Sequence, residues 1–392
     1  MALFKSNSSI VGTTSYDFGL TDIIILPYIQ SANYEIKYNR ISEKHIGDPN
    51  ILNNQLIRPD ISINLTYLLR ADFLNETAFG FEFSDTINES DVILLKLFEQ
   101  KTSDLFIFNN EDLTFDLSTF RPSNMPAIYQ SSNWYVSSFP RSFLNGYSIS
   151  FKVGSIPIAS ANFIAGDMRV SALEQTGSEN VARFKYNFPQ DYKEINIYTL
   201  FDNQINTANA KSLNYINNIV INTDFSQSQV PLIILETFSQ AVIKSLDISV
   251  DLNRNKFYFF TGIDPSYEPF DPRIILPVNC NLNINGLLTK INASSLQTFF
   301  KLDKKFNLEF IFYEKNKEIS RMKIENITVE SFSYSAEMNQ MVEFVLNCSF
   351  KMNKSSGLKI QRLFNPLEDQ GFLTADNYYI ISSNGYHMES LF

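Results

Sequence analysis

Glycine, cysteine, histidine and tryptophan are all scarce in this chain of 392 residues, which has 13 glycines, two cysteines, two histidines and one tryptophan. Neither GxGxxG nor GxxxxGKS/T occurs, so the glycine-rich loops that hold phosphate groups are missing. No GxSxG elbow accompanies the histidines, and two cysteines are too few for a disulfide framework and are not spaced for zinc. We therefore expect no enzyme, no metal site and no cofactor.

Positive charge is also low, because 32 Lys and Arg residues stand against 42 Asp and Glu residues and leave a net charge of −10. Such a surface repels polyanions, which disfavours sequence-specific DNA binding. No apolar run approaches the 18 residues of a membrane-spanning helix, and residues 1–14 lack the apolar core of a signal peptide. The sequence therefore predicts a protein without a membrane span or a secretory signal.

Alternating apolar and polar residues, the pattern of half-buried strands, are abundant. The alternation is clearest in residues 245–254, 278–285 and 342–352. Cys280 and Cys348 fall on the apolar sides of two of these segments, which predicts that both are core side chains. The polar side of residues 278–285 is an asparagine ladder that consists of Asn279, Asn281, Asn283 and Asn285. The predicted fold class is mainly β.

Helical signals are few. Residues 88–100 place apolar side chains at helical spacing behind an Asn or Ser cap, and residues 294–301 do the same behind a serine. We expect one short helix in each half of the chain.

The chain also repeats itself. Residues 29–40 match residues 243–254 without a gap, and Ile29, Ser31, Asn39 and Arg40 correspond to Ile243, Ser245, Asn253 and Arg254. A second match aligns residues 59–69 with residues 277–288, so that Ile63 corresponds to Leu282. Because both matches occur in the same order, we interpret the chain as a duplication.

The duplication predicts two related β-sandwich or barrel domains, each with a short helix. The first domain covers residues 26–175 and the second covers residues 241–353. The remaining segments are an N-terminal arm (1–25), a connector (176–240) and a C-terminal arm (354–392).

The matched motifs resemble strands of the tail tube (major tail) proteins of long-tailed bacteriophages that carry two tube domains in one chain. They read IQSANYEIKYNR with PDISINLTYLL, and IKSLDISVDLNRNKF with LPVNCNLNINGLL. Residues 146–168, GYSISFKVGSIPIASANFIAGDM, are similar to a strand, turn and strand late in the first domain of such proteins. The resemblance covers about a third of the chain.

The resemblance implies a structural virion protein of the tail, assembled in the host cytoplasm. Its chains would form trimeric, pseudo-sixfold rings that stack around a lumen, and DNA would pass through without specific binding. The partners implied are other copies of the chain, the tape measure, the terminator and the baseplate. We expect the asparagine ladder to face the lumen. We also expect Arg40 and Arg254, matched by the repeat, to make equivalent salt bridges across the domain interfaces, both within a chain and between chains.

Two alternatives stay open at this stage. The long connector and the C-terminal arm leave room for another ring protein of the tail or neck, such as a terminator, collar or baseplate ring. From a different class, a carbohydrate-binding β-sandwich or adhesin would use Trp134, Tyr135 and the aromatic residues 258–260 for stacking on sugars.

Overall fold

A computed structural model of the chain describes residues 9–14, 23–38, 40–43, 53–56, 60–70, 74–79, 103–110, 134–175, 181–187, 191–196, 213, 215–222, 241–252, 254, 274–288, 305–335, 342–352, 358–362, 380–381 and 387–388, and the statements below concern these residues. The mainly β class is confirmed, since 81% of the described residues lie in strands. No helix within these ranges is long and apolar enough to cross a membrane.

The first half of the chain contributes nine strands and one helix. They are β1 (Ser9–Thr14), β2 (Ile24–Ile25), β3 (Ile29–Lys37), β4 (Arg40–Glu43), β5 (Asn53–Leu56), β6 (Asp60–Leu68), α1 (Leu74–Ala78), β7 (Ser103–Asn110), β8 (Trp134–Lys152) and β9 (Ile158–Ala165). The strands that follow are β10 (Arg169–Ala172), β11 (Glu174–Gln175), β12 (Val181–Asn187), β13 (Asp191–Asn196) and β14 (Asn218–Ile221). The second half contains β15 (Ala241–Asp251), β16 (Val278–Leu288), β17 (Phe306–Glu314), β18 (Lys317–Ser335), β19 (Val342–Met352), β20 (Leu358–Arg362), β21 (Ile380–Ile381) and β22 (His387–Met388).

Eight of these strands lie side by side in one antiparallel layer, in the order β3-β6-β9-β8-β15-β16-β19-β18. We call this layer the long sheet. A second layer continues from it, because β8 also pairs with β7 and β10, and β18 also pairs with β17 and β20. Apolar side chains of the two layers pack together, as in a β-sandwich.

The strand order of the long sheet is a four-strand unit that occurs twice: β3-β6-β9-β8 is followed by β15-β16-β19-β18. The register repeats as well, since Tyr34 lies opposite Ile63 and its sequence counterpart Ile248 lies opposite Leu282. Bulges fall at matching places in three strand pairs of each half of the chain. They lie between 29 and 31 and between 243 and 245, between 144 and 146 and between 329 and 331, and between 103 and 105 and between 306 and 308.

Two long strands, β8 and β18, cross from one layer to the other at a residue with a left-handed backbone. In β8 this residue is Arg141 (φ 49°), and in β18 it is Asn326 (φ 58°). Each backbone N–H donates to a side-chain oxygen of the preceding strand, Arg141 to Asp104 Oδ1 and Asn326 to Asn307 Oδ1, both at 2.9 Å. The same local device therefore bends both long strands.

One hydrophobic core runs through both copies of the unit and both layers. Leu65, Leu246 and Leu282 of the long sheet are at most 1% exposed. Phe151 of β8 packs on Phe312 of β17 with ring centroids 4.4 Å apart, so side chains of the two copies share this core. A separate apolar cluster fixes β12 and β13 to β7 through Phe106, Phe108 and Phe184.

The helix α1 has only five residues, and a buried polar contact with the sheet fixes its position. The carboxyl oxygen Oε1 of Glu76 accepts hydrogen bonds from Tyr67 Oη at 2.7 Å and from Tyr147 Oη at 2.9 Å. Burial, and next the Glu76 carboxylate, raise the pKa of Tyr67 and Tyr147 well above the ordinary tyrosine value. Both hydroxyls therefore remain protonated donors at neutral pH.

The observed strands differ from the predicted segments mainly at their ends. The segment predicted at 342–352 has those bounds as β19, whereas residues 278–285 extend to Leu288 and residues 245–254 shift to Ala241–Asp251. Within the predicted arms and connector, β1 pairs with β7, β14 pairs with β17 and β20 pairs with β18. The predicted helices at 88–100 and 294–301 lie outside the described residues.

Cys280 and Cys348 are buried free thiols, which confirms the prediction that they are core side chains. Burial raises the pKa of each thiol from 9.0 to about 12. In the unfolded chain the thiols ionise near pH 9, whereas the folded protein keeps them protonated until about pH 12. Their contribution to stability is therefore complete below pH 9 and is lost as the pH rises toward 12.

We expect the free energy of unfolding to fall by about 1 kcal/mol per thiol between pH 9 and pH 10. Urea titrations at pH 8, 9 and 10, followed by the fluorescence of the single tryptophan, measure this slope. A Cys280→Ala/Cys348→Ala variant is the control, and its stability should change less over the same interval. If the free energy of unfolding fell equally with pH in both proteins, the loss of stability could not be assigned to Cys280 and Cys348.

Candidate functional site

The face of the long sheet that points away from the core is polar. Strands β6, β16 and β19 alternate buried apolar side chains on one face with mostly polar side chains on the other. A depression of about 520 Å³ lies on the polar face and is bordered by Ser148, Ser160, Ser249, Asn281 and Asn347, which come from five neighbouring strands. We call this surface the polar face.

An uncharged row crosses the polar face from one edge of the long sheet to the other. Each member lies directly opposite the next, and every member is a serine, a threonine or an asparagine. In strand order they are Ser31, Thr66, Ser160, Ser148, Ser249, Asn281, Ser349 and Thr328. All eight side chains are at least partly exposed. The row forms a continuous wettable band without a formal charge.

Hydrogen bonds between neighbouring strands hold the polar side chains in place. Thr66 and Ser160 share a hydrogen bond of 3.2 Å, and Asn285 Nδ2 donates to Ser245 Oγ at 3.0 Å. Asn347 Nδ2 donates to Ser331 Oγ at 2.8 Å. Such cross-strand pairs fix the positions of the polar side chains on this surface.

Charges of the polar face lie beside the uncharged row or toward the strand ends. Near the row, Asp247 accepts a hydrogen bond from Ser150, and Glu330 accepts one from Ser349. Charged side chains toward the strand ends include Glu35, Lys37, Lys152, Asp251, Glu343 and Lys351. Opposite charges form exposed pairs there, as in Lys37 with Glu35 at 3.4 Å. Exposed pairs of this kind contribute little to stability.

The asparagine ladder predicted from the sequence lies on the polar face. Asn279 and Asn281 are exposed, and Asn283 and Asn285 are half-buried. Asn281 is a member of the uncharged row, and Asn283 lies opposite Asp247 and Asn347. The structure thus gathers these side chains with serines and threonines of seven other strands. Their orientation toward a lumen stays a prediction.

Arg254 lies at the contact between the two copies of the unit. Its Nε donates to the carbonyl oxygen of Leu144 at 2.5 Å, and its backbone N–H donates to Asn145 Oδ1 at 3.4 Å. The guanidinium also lies 5.4 Å from the centre of the Phe143 ring. Arg40 begins β4, which pairs with β5, and its side chain lies outside the described part of the chain. The salt bridges expected of the two arginines stay a prediction.

Aromatic stacking on sugars finds no support at Trp134, because this side chain is only 4% exposed and packs in the cluster with Phe106 and Phe184. Tyr135 is half-buried. Residues 258–260 lie outside the described residues. Among the His, Cys, Asp and Glu side chains that the structure describes, no group of three is placed to hold a metal ion.

Sequence reasoning found the asparagine ladder and missed the row that crosses it. The sequence does contain a pattern that marks the missed residues, because Ser148, Ser160 and Ser249 occupy polar positions of alternating segments. Alternation shows which residues share a face of one strand, but it leaves the neighbouring strand and the register open. The row depends on the strand order and the register, which are set by tertiary structure.

The sequence matches no protein-family model, and a search of curated proteins finds no match.

Proposed function

We propose that this protein is a tail tube subunit of a long-tailed bacteriophage, whose chains form rings that stack around a DNA-conducting lumen. The observation that carries the proposal is the four-strand unit repeated in one continuous sheet. In the described part of the chain, β3 pairs only with β6, and residues 328–335 of β18 pair only with β19. A sheet with two such edges can continue into further copies.

The stagger of the long sheet supports closure into a barrel. The residues that lie directly opposite one another, taken strand by strand from Ser31 of β3 across the first unit, lead to Ser249 of β15. The sequence repeat, however, matches Ser249 with Glu35 and not with Ser31. The register therefore shifts by about one residue per strand. A closed barrel with this shift per strand has strands that tilt by about 36° from the barrel axis. Three chains would supply about 24 strands, which at about 4.8 Å spacing give a backbone diameter of about 45 Å.

The polar face supports its assignment as the inner wall. It contains the depression described above, and its uncharged row offers DNA phosphates hydrogen-bonding groups without cations that would hold them. In this proposal DNA passes without specific binding, and the partners are further copies of the chain and the tape measure, terminator and baseplate proteins of the tail. The role needs no cofactor and no catalytic residue.

Negative-stain electron microscopy of the purified protein at rising concentration tests the proposal. We expect hollow rings with six lobes and true threefold symmetry in end views, and stacked tubes in side views. Rings that stay single at every concentration would contradict the tube and favour a terminator, collar or baseplate ring. Dispersed monomers at every concentration would contradict both, and a glycan array would then test the adhesin alternative.

A further inference from the structure

We infer that successive chains join edge to edge, with β3 of one chain antiparallel to residues 328–335 of β18 in a second copy. The register of this joint is that of the internal contact between β15 and β8. The inference rests on the proposed function and deepens it, because it names the two edges through which the proposed ring closes and the residues that face each other.

The internal contact is a complete example of such a joint. β8 and β15 pair antiparallel over seven residue pairs, from Ser245 opposite Lys152 to Asp251 opposite Gly146. It connects the last strand of the first unit to the first strand of the second unit. The chain therefore already contains one joint between two copies of its own repeat.

The edge strands are the structural counterparts of the strands in this contact. β18 has the place of β8 at the end of its unit, and β3 has the place of β15 at the start of its unit. Because bulges and bends fall at matching residues, the register can be transferred residue by residue. The transferred pairs are Asn33 with Ser335, Tyr34 with Tyr334, Glu35 with Ser333 and Lys37 with Ser331.

The exposure of two tyrosines agrees with this register. In the internal contact, Ile248 of β15 lies opposite Ile149 of β8, and each is 2% exposed. Their counterparts at the edges are Tyr34, which is 41% exposed, and Tyr334, which is 55% exposed. The joint would cover both aromatic rings, because they would face each other across the pair of strands as the isoleucines do.

The joint also propagates the stagger. Each copy of the unit shifts the register by the same amount when its last strand meets the first strand of the next copy. A joint in the transferred register keeps this shift constant around the ring. A constant shift is the geometric condition for closing a barrel of identical units.

Disulfide trapping with four single substitutions tests the register. Asn33→Cys is combined with Ser335→Cys, and Lys37→Cys with Ser331→Cys, as matched pairs. The mismatched pairs use the same substitutions, Asn33→Cys with Ser331→Cys and Lys37→Cys with Ser335→Cys. All four positions are exposed. The mismatched positions would lie about 13 Å apart along the strands, whereas a disulfide needs Cα atoms within about 7 Å.

Any bond formed must join two chains, because the two edges of one chain are separated by about 33 Å across the sheet. The unsubstituted protein is the background control, since its two cysteines are buried. After mild oxidation, non-reducing gels should show covalent dimers and closed trimers at least about tenfold more abundant for matched than for mismatched pairs. Electron microscopy of the same samples before oxidation records whether rings are present.

Matched pairs that link in samples containing rings support the inference. Rings with no cross-linking of matched pairs, or with equal cross-linking of matched and mismatched pairs, would overturn the inference while leaving the proposed function in place. Absence of rings from the unoxidised samples and from the unsubstituted protein would contradict the proposed function itself.

Discussion

Replacing Glu76 by alanine should lower the free energy of unfolding by about 4 kcal/mol. The Glu76 side chain is fully buried, and its Oε1 accepts hydrogen bonds from the hydroxyls of Tyr67 and Tyr147 at 2.7 and 2.9 Å. Alanine would leave both buried hydroxyls without this acceptor and would open a cavity beneath α1. The change is measured by urea titration of the dilute protein, with Trp134 fluorescence as the signal.

The matched control is Glu76→Gln, which keeps an oxygen acceptor and nearly the same volume. We expect this variant to lower the free energy of unfolding by less than about 1.5 kcal/mol. A glutamine variant as unstable as the alanine variant would show that the accepted hydrogen bonds do not account for the effect. Tyr67→Phe in the glutamine background then measures the contribution of one hydroxyl.

Gly286→Ala should lower the free energy of unfolding by about 2–3 kcal/mol, although it adds a single methyl group. A Cβ at Gly286 would lie 2.6 Å from Phe344 Cε1 and 2.7 Å from the carbonyl oxygen of Val242. The ring could move only into a packed core, and the carbonyl belongs to the neighbouring strand. Thermal unfolding of the variant beside the unsubstituted protein measures the loss.

Gly146→Ala is the control, because it adds the same methyl group to the same sheet with its nearest neighbours at 3.5 and 3.7 Å. It should change the stability by no more than about 0.5 kcal/mol, since ordinary van der Waals contact is not overpacking. Equal losses for both variants would mean that the shortage of space at Gly286 is not the cause.

The two copies of the unit explain why glycine occupies position 286. In the first copy the counterpart of Gly286 is Tyr67, which lies opposite Ile29 at the bulge, and Ala159 is its neighbour on β9. In the second copy Gly286 lies beside Phe344 of β19. A large side chain on one strand thus faces a small one on the next, with the sizes exchanged between the copies. The exchange preserves close packing while the sequences diverge.

This exchange also limits what a sequence comparison detects. The first two strands of each unit show the repeat, because their alternation and several identical residues survive at a spacing that is constant within each strand. Strands β8 and β9 resemble β18 and β19 much less, since Tyr147 and Ala161 correspond to Phe332 and Leu346. Their equivalence depends on matching bulges and bends, which backbone geometry reveals and residue identity does not.

The helix α1 was not predicted for a related reason. It has five residues, too few for a periodic pattern. Its anchor is a tertiary contact, because Tyr147 is separated from Glu76 by 71 residues in the chain. Local sequence therefore carries little information about this helix.

The sequence by itself determined the mainly β class, most of the strands, which side of each strand is apolar, and the burial of Cys280 and Cys348. These properties depend on the alternation of neighbouring residues, which is local. Only the tertiary structure decided the strand order, the row that crosses the polar face and the two edges with Tyr34 and Tyr334. These depend on register, because shifting one strand by a single residue exchanges its faces without changing its sequence.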